Sequence, residues 1–466
     1  MFESLESHQG GSGSVSAVAG WMKELGSLDL DLAARDMDGG LIDRLRALEE
    51  LKAAASAAQA RIAAALDASV RRAHAAAGEP PERQGRGVAA QVALARRESP
   101  ARGNRIVGFA KALSAEMPCT LKALSEGLIS EWRATLLVRE TACLSLEDRR
   151  LVDREIAGDT ATLEGLGDAR LIARIRKLSQ RIDQAAVVRR AAKAEADRYV
   201  SCRPAPDTMT YLTGLLPVAQ GVAVFAALSR EADSLKSRGD ARGRGQIMAD
   251  TMVERITGVA HAGSIPVEVQ LVMTDRTLLS GSAEPAYLNG YGVVPSLWAR
   301  RTLRQGAAMR PANVPPGDGS GVVSEADRVW LRRLYTAPAT GELIAMDSKS
   351  RFVPASLARM ITARDQACRT PWCSAPIRHQ DHIRRHADGG ATSVANLQGL
   401  CEECNQAKEA PGWTARAVPG KARHTVEITT PTGHRYRSTA PPLPGVPVRG
   451  LRWPVRGHPG AQPQRS

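Results

Sequence analysis

Two short-spaced cysteine pairs, Cys368/Cys373 and Cys401/Cys404, with four and two residues between partners, constrain this chain more than any other feature. Thiolates at that spacing surround one tetrahedral zinc ion in a knuckle. The 27 residues between the pairs then form a loop closed by the metal. In small zinc modules the binding energy, on the order of 10 kcal/mol, helps to hold such a loop folded. The cysteines alone also fit a zinc ribbon that only binds or only folds, so the residues inside the loop decide what the frame carries.

Ile377 to Ile383 alternates as a short strand does, Gly389-Gly390 supplies a turn before Asn396-Leu397, and Leu400 to Lys408 reads as a helix. Within that order stand Asp381-His382-Ile383, then Gly389 to Leu397 as G-G-x-T-x-x-x-N-L, then Leu400 to Lys408 as L-C-x-x-C-N-x-x-K. The arrangement resembles the ββα-metal finger of HNH endonucleases, which hydrolyse phosphodiester bonds.

The resemblance implies roles. His382 would be the general base that takes a proton from water, as a neutral imidazole can near physiological pH. Asp381 would ligate a catalytic Mg²⁺ or Mn²⁺ that polarises the scissile phosphate. Consecutive strand residues point to opposite faces, so a bulge or twist is expected at Asp381-His382. Asn405 stands where the family often has histidine, giving an H-N-N version whose amide oxygen suits a hard cation. Asn396, the middle residue, would pin the loop and orient His382, or would simply cap a turn. His379 shares a strand face with Asp381, where it touches substrate or metal or is merely solvated; His386 is expected to face a phosphate. Arg364, Arg369, Arg378, Arg384, Arg385 and Lys408 surround these residues and read as a clamp on the DNA backbone.

Charge distribution agrees with a polyanionic partner. Residues 351–466 hold 17 Lys and Arg against 7 Asp and Glu, a net of +10 within a chain of +14. Binding driven by such a surface does not read sequence and falls steeply with salt. The remaining cysteines, Cys119, Cys143 and Cys202, are scattered and odd in number, which points to buried thiols in a reducing cytoplasm. Met1 to Val15 does not resemble a signal peptide. Tyr211 to Leu228 carries no charge, but Pro217, Gln220 and interrupting glycines favour a buried element over a membrane span.

Upstream, an apolar period from Leu41 to Ala77 predicts a long Ala-rich helix. Further helices are expected over Val88–Arg97, Arg105–Leu113, Leu121–Val138, Leu146–Ile156 and Leu171–Tyr199. A mixed segment follows, with strands at Met209–Leu215, Val267–Met273 and Thr277–Leu279 and a helix at Gln246–Ile256. Leu357–Arg364 should be a helix leading into the first knuckle, Trp330–Tyr335 with Glu342–Met346 a hairpin, and Thr425–Thr429 with His434–Arg437 another. The expected class is α+β: a mainly helical N-terminal region with a mixed α/β segment, then a small zinc-stabilised finger. The divisions are a flexible 1–30, a helical and mixed domain over 31–308, a Pro/Gly linker at 309–325, the finger domain over 326–438, and a disordered basic tail at 439–466.

Cys368-Arg-Thr-Pro-Trp-Cys373, Ala375-Pro-Ile-Arg-His379 and Lys408-Glu-Ala-Pro-Gly-Trp413 extend the likeness to the actinobacterial 13E12-repeat proteins. In these a domain of unknown function 222 precedes an HNH finger. Ala123-Leu-Ser-Glu-Gly127, Gln246–Asp250 and Pro285-Ala-Tyr-Leu-Asn-Gly-Tyr291 are similar to pieces of that first domain. The resemblance implies a DNA endonuclease, with self-association through the helical region as a hypothesis. The rival reading is a zinc-stabilised nucleic-acid-binding protein without catalysis.

Overall fold

The computed structural model describes residues 14–27, 38–259, 270–308, 347–348 and 353–445. The expected linker and the hairpin at 330–346 lie outside them. Helix α1 (Val15–Gly26) is followed by α2 (Asp38–Ala76), whose 39 residues span about 58 Å at 1.5 Å per residue. Its buried positions begin at Ala53 and form the stripe Ala53, Ala57, Ala60, Ala63 and Asp67. Methyl groups at this spacing let neighbouring helices approach closely. Those neighbours are α3 (Val88–Ala95), α4 (Pro100–Lys111), α5 (Pro118–Ser125) and α6 (Glu131–Glu140), on which α7 (Leu146–Ala157) and α8 (Asp168–Ile182) pack in turn. Leu113, Met117, Leu124, Leu136, Leu137, Ile156, Leu171 and Ile175 fill the space between them.

Two helices expected to be continuous are broken, each by a residue with a local reason. Gly127 adopts φ 76°, and a Cβ there would sit 2.6 Å from Glu50 Cβ; Ser130 then caps α6 by accepting from Arg133 N–H. Leu121–Val138 is therefore α5 and α6. In Leu171–Tyr199, Asp183 leaves the helical region and caps α9 (Gln184–Ala196) through Ala186 N–H at 2.9 Å, while Tyr199 enters a strand.

That strand, β1 (Tyr199–Ala205), pairs only with β2 (Met209–Leu215), and α10 (Val218–Ser237) and α11 (Arg244–Thr257) follow as an antiparallel pair. The expectation that Tyr211–Leu228 is buried fails: every residue of β2 is exposed, as is most of the first half of α10. Lack of charge does not bury a segment that finds no cover among the described residues. No helix among the described residues is long and apolar enough to cross a membrane.

Next come β3 (Leu271–Val272), α12 (Asp275–Leu279), β4 (Ala286–Leu288), β5 (Gly292–Val294) and α13 (Ser296–Ala308). Thr277–Leu279, expected as a strand, lies in α12 because Thr274 accepts from Thr277 N–H and starts a helix.

The C-terminal part contains β6 (Asp347–Ser348), α14 (Ala355–Asp365), β7 (His379–His382), β8 (Thr392–Ser393), β9 (Leu397–Leu400) and α15 (Glu402–Lys408). It closes with the antiparallel sheet of β10 (Thr414–Ala417), β11 (Thr425–Thr429) and β12 (Arg435–Thr439). Strands β7 and β9 pair antiparallel, with His382 opposite Leu397. Helix α14 is fixed to β9 by a buried ion pair. The Arg364 guanidinium binds Asp365 and donates to the carbonyls of Val394 (2.6 Å) and Leu397 (2.7 Å), while Asp365 accepts from Gly399 N–H at 2.7 Å. Both charges are thus answered by hydrogen bonds away from water, as a buried pair requires.

The expected disorder from residue 439 does not hold for 440–445. Ala440 N–H donates to the His424 carbonyl, Leu443 is buried against Leu357, Met360 and Ile361, and Gly445 N–H reaches Glu284. Helical region and finger also touch directly. Asn104 donates to Glu403 at 2.7 Å, Thr432 to Gln91 at 3.1 Å, and Tyr287 Oη to the Gln366 carbonyl at 3.2 Å.

Candidate metal knuckle and catalytic cleft

The four finger cysteines converge. All are buried, their sulfurs lie within 4.8 Å of one another, and Cys373 Sγ and Cys401 Sγ are 3.8 Å apart. That is far longer than a disulfide and close to the ~3.8 Å edge of a tetrahedron with 2.3 Å metal–sulfur bonds. Hydrogen bonds from Cys368 and Cys373 hold the Cys401 thiol below the ordinary range, while the same cluster pushes Cys404 up. Four thiolates this close need a cation between them, so the set can hold one metal ion and fits zinc.

The knuckle anchors both ends of a cleft lined on one side by β7 and the turn after it and on the other by the end of α15. Arg378, His379, Asp381, His382, Arg385 and Lys408 share it, joined by His386 and Glu409. His382 is 9% exposed; its Nε2 is 2.9 Å from Thr392 Oγ1, and its ring meets that of His386 edge-on at 5.7 Å. Asn396 closes the turn. Its Nδ2 donates to the carbonyls of Arg384 (3.0 Å) and Ala391 (2.8 Å), and its Oδ1 accepts from Arg384 N–H (2.9 Å). A Cβ at Gly390 would lie 2.0 Å from the Arg384 carbonyl oxygen and 2.8 Å from Asn396 Nδ2, so this clamp requires glycine there.

Lys408, expected on a phosphate, points inward instead. Its ammonium, on a side chain 12% exposed, donates to Asp381 Oδ2 and, at 2.7 Å, to the His382 carbonyl. Glu409 Oε1 is 3.6 Å from the same nitrogen, and Glu409 also pairs with Arg385 at 2.7 Å. Oxygen donors of this kind suit a hard divalent cation; here they hold an ammonium. Asn405 and Arg384 are not among the residues lining the cleft; Asn405 lies one turn before Lys408 on α15. Arg364 and Arg369 are buried structural groups, not a surface clamp.

Residues 46–365 match the family model described as domain of unknown function (DUF222), and residues 368–410 match that of HNH endonuclease. The chain belongs to the DUF222 family. No curated protein and no solved structure matches it. The DUF222 match ends at Asp365, the last residue of α14, so the helix that buries Arg364 in the finger belongs in sequence to the DUF222 domain.

Sequence reasoning missed several supports. Thr392 and Glu409 stand inside the G-G-x-T and Lys408-to-Trp413 patterns, which assign neither a role, and the His386 ring packs edge-on against that of His382. His424 is another. It is buried, and its Nε2–H donates to the Ala395 carbonyl at 3.0 Å, next to Asn396. Burial, with Arg364 nearby, lowers its pKa to about 4. The unfolded chain takes up this proton near pH 6.5 and the folded one only near 4. The neutral ring therefore stabilises fully above pH 6.5, and its contribution, roughly 3 kcal/mol, is lost as pH falls towards 4. Thermal melts at pH 7 and 4.5 should show a steeper loss for wild type than for His424→Phe; equal slopes would exclude His424.

Proposed function

We propose that this DUF222 protein is a metal-dependent HNH endonuclease that hydrolyses DNA phosphodiester bonds. The observation that carries this reading is the placement of Asp381 and His382 in one cleft, over a four-cysteine knuckle, with Asn396 clamping the turn between them and β9. His382 acts as general base. Thr392 holds Nε2 and fixes the tilt of the ring that takes the proton from water. Asp381 would hold a Mg²⁺ or Mn²⁺ ion, and Asn405, one turn before Lys408 on α15, would turn into the cleft to complete the set. When bound, the ion neutralises charge that builds on the phosphate. Arg378, His379, Arg384 and Arg385 contact the DNA backbone without reading bases. Zinc in the knuckle is structural. A single site of this kind cuts one strand, so a double-strand break calls for two copies.

One observation favours the rival reading, a nucleic-acid-binding module without catalysis: the Lys408 ammonium already neutralises Asp381. For a divalent ion to bind, Lys408 must swing aside. Lys408→Met is therefore expected to tighten Mn²⁺ binding about tenfold, the effect of removing a competitor worth roughly 1.4 kcal/mol. Calorimetry on zinc-loaded protein checks this, with Asp381→Asn as the variant that should bind none; weaker binding by Lys408→Met would make the lysine a support of the site.

The reading as a whole is tested by plasmid cleavage with zinc-loaded protein in Mg²⁺, Mn²⁺ or EDTA. Nicking or linearisation that requires the divalent ion supports it. A salt-sensitive shift of DNA without cutting under any of these conditions transfers the function to the binding module.

A further inference from the structure

One unexplained apolar surface lies far in sequence from the finger. From Thr208 to Ser229 the chain has no charged residue, yet this segment is on the outside. On β1 and β2, Tyr199 and Tyr211 lie on the same face, together with Leu215 and Met209, by the pairing of Tyr199 with Leu215 and Arg203 with Tyr211. A lone two-stranded hairpin is marginally stable in water, and both strands of this one are almost wholly exposed. The Tyr291 hydroxyl ties it to the rest of the chain by one hydrogen bond, 2.6 Å to the Ala205 carbonyl.

Helix α10 adds a second apolar strip. Its C-terminal half packs on α11 through Ala232 and Ile247 and is pinned by ion pairs of Arg244 with Asp233 and Arg255 with Glu231. It has 20 residues against 14 in α11, and the overhang corresponds to about 9 Å of uncovered helix. On that overhang and the turn that follows it, Val218, Val222 and Phe225 recur at i, i+4 and i+7, exposed by 83%, 64% and 62%.

We propose that this arm, the β1–β2 hairpin with the first turns of α10, is the surface on which a second copy of the chain docks. Three properties select a copy of itself over another partner. The surface is large: nine bulky apolar side chains between Tyr199 and Phe225, leaving aside Val200 and Leu212 on the other face of the hairpin, are 39% to 83% exposed, on the scale of the ~800 Å² that each partner of a stable dimer buries. Its only charges, Arg203 and Asp207, are opposite in sign, so it can face itself across a two-fold axis without a net charge on either side. And +10 of the chain's net charge of +14 is carried by residues 351–466, so the repulsion between two copies is concentrated in a segment far in sequence from this arm. Exposed bulky apolar side chains in this number are rarely left uncovered on a monomer. The inference does not rest on the chemistry of the finger.

The test is the mass of the full-length, zinc-loaded protein in solution by light scattering. At roughly 10 µM, where an interface of this size is expected to be populated, the wild type should run at twice 49.7 kDa. The double variant Val222→Glu, Phe225→Glu should run at the single mass. Both residues are exposed, so circular dichroism and zinc content should not change. Hydrogen exchange gives a second readout on unmodified protein: amides of 211–225 should gain protection as concentration rises. A wild type that stays monomeric with concentration-independent exchange overturns the proposal. So does a dimer that survives the double variant but is lost when α1, whose Trp21 and Met22 are also exposed, is removed.

Discussion

Replacing His382 by alanine should leave DNA binding at the wild-type level and slow cleavage by about three orders of magnitude or more. A positioned general base contributes roughly 10²–10⁴-fold, and the loss should fall on the chemical step because the positive residues around the cleft stay in place. Single-turnover nicking at saturating Mn²⁺, alongside a gel-shift titration, separates the two quantities. The alanine also strips Thr392, itself 2% exposed, of its partner, which costs about 1–3 kcal/mol of stability. His382→Asn, which keeps a polar group toward Thr392, separates that cost from catalysis. It should restore the melting temperature and not the rate. Unchanged cleavage in both variants would remove His382 from the chemistry; lost binding in both would make it part of the DNA surface.

The second large effect is expected at the knuckle. Changing Cys404 to serine removes one of four thiolates from a site whose metal supplies on the order of 10 kcal/mol of folding energy. The elements it supports are too short to persist alone: β7 and β9 have four residues each and α15 has seven. Stoichiometric zinc should be lost and the finger should melt early, while the transition of the helical core, which contains none of the four cysteines, remains. Colorimetric zinc release and calorimetric melting measure both. Serine at Cys119, Cys143 or Cys202 should change neither, since these thiols lie outside the cluster. Full zinc occupancy with an unshifted melt in Cys404→Ser would mean the cluster is not a metal site.

What could be read from the chain is what depends on near neighbours. The cysteine spacings, the Asp381-His382-Ile383 strand and the Gly389-Gly390 turn are written within a few residues of one another, and each forms where its local chemistry puts it. The breaks at Gly127 and Asp183 were legible by the same rules and were overridden by long apolar periods. Other features depend on where one element comes to rest on another. Lys408 and Asp381 are 27 residues apart and meet only because α15 lies across β7. His424 reaches the Ala395 carbonyl, beside Asn396, from the loop before β11. Arg364 and Asp365 look in sequence like two more surface charges, and only the seating of α14 under β9 shows them buried. The exposed arm misled in the opposite sense, because apolar composition reports a need for cover and not where the cover comes from.

The seating of α14 also bears on how such proteins can be rearranged. A recombination joint placed between residues 365 and 368, where one matched segment ends and the next begins, looks harmless on paper. It would hand the acquired finger a foreign helix, and with it the carbonyls of Val394 and Leu397 and the amide of Gly399 would lose the side chains that answer them. The heritable cassette is therefore longer than its signature: it begins no later than Ala355 and runs through Gly445, and exchanges that respect those limits are the ones expected to yield folded descendants.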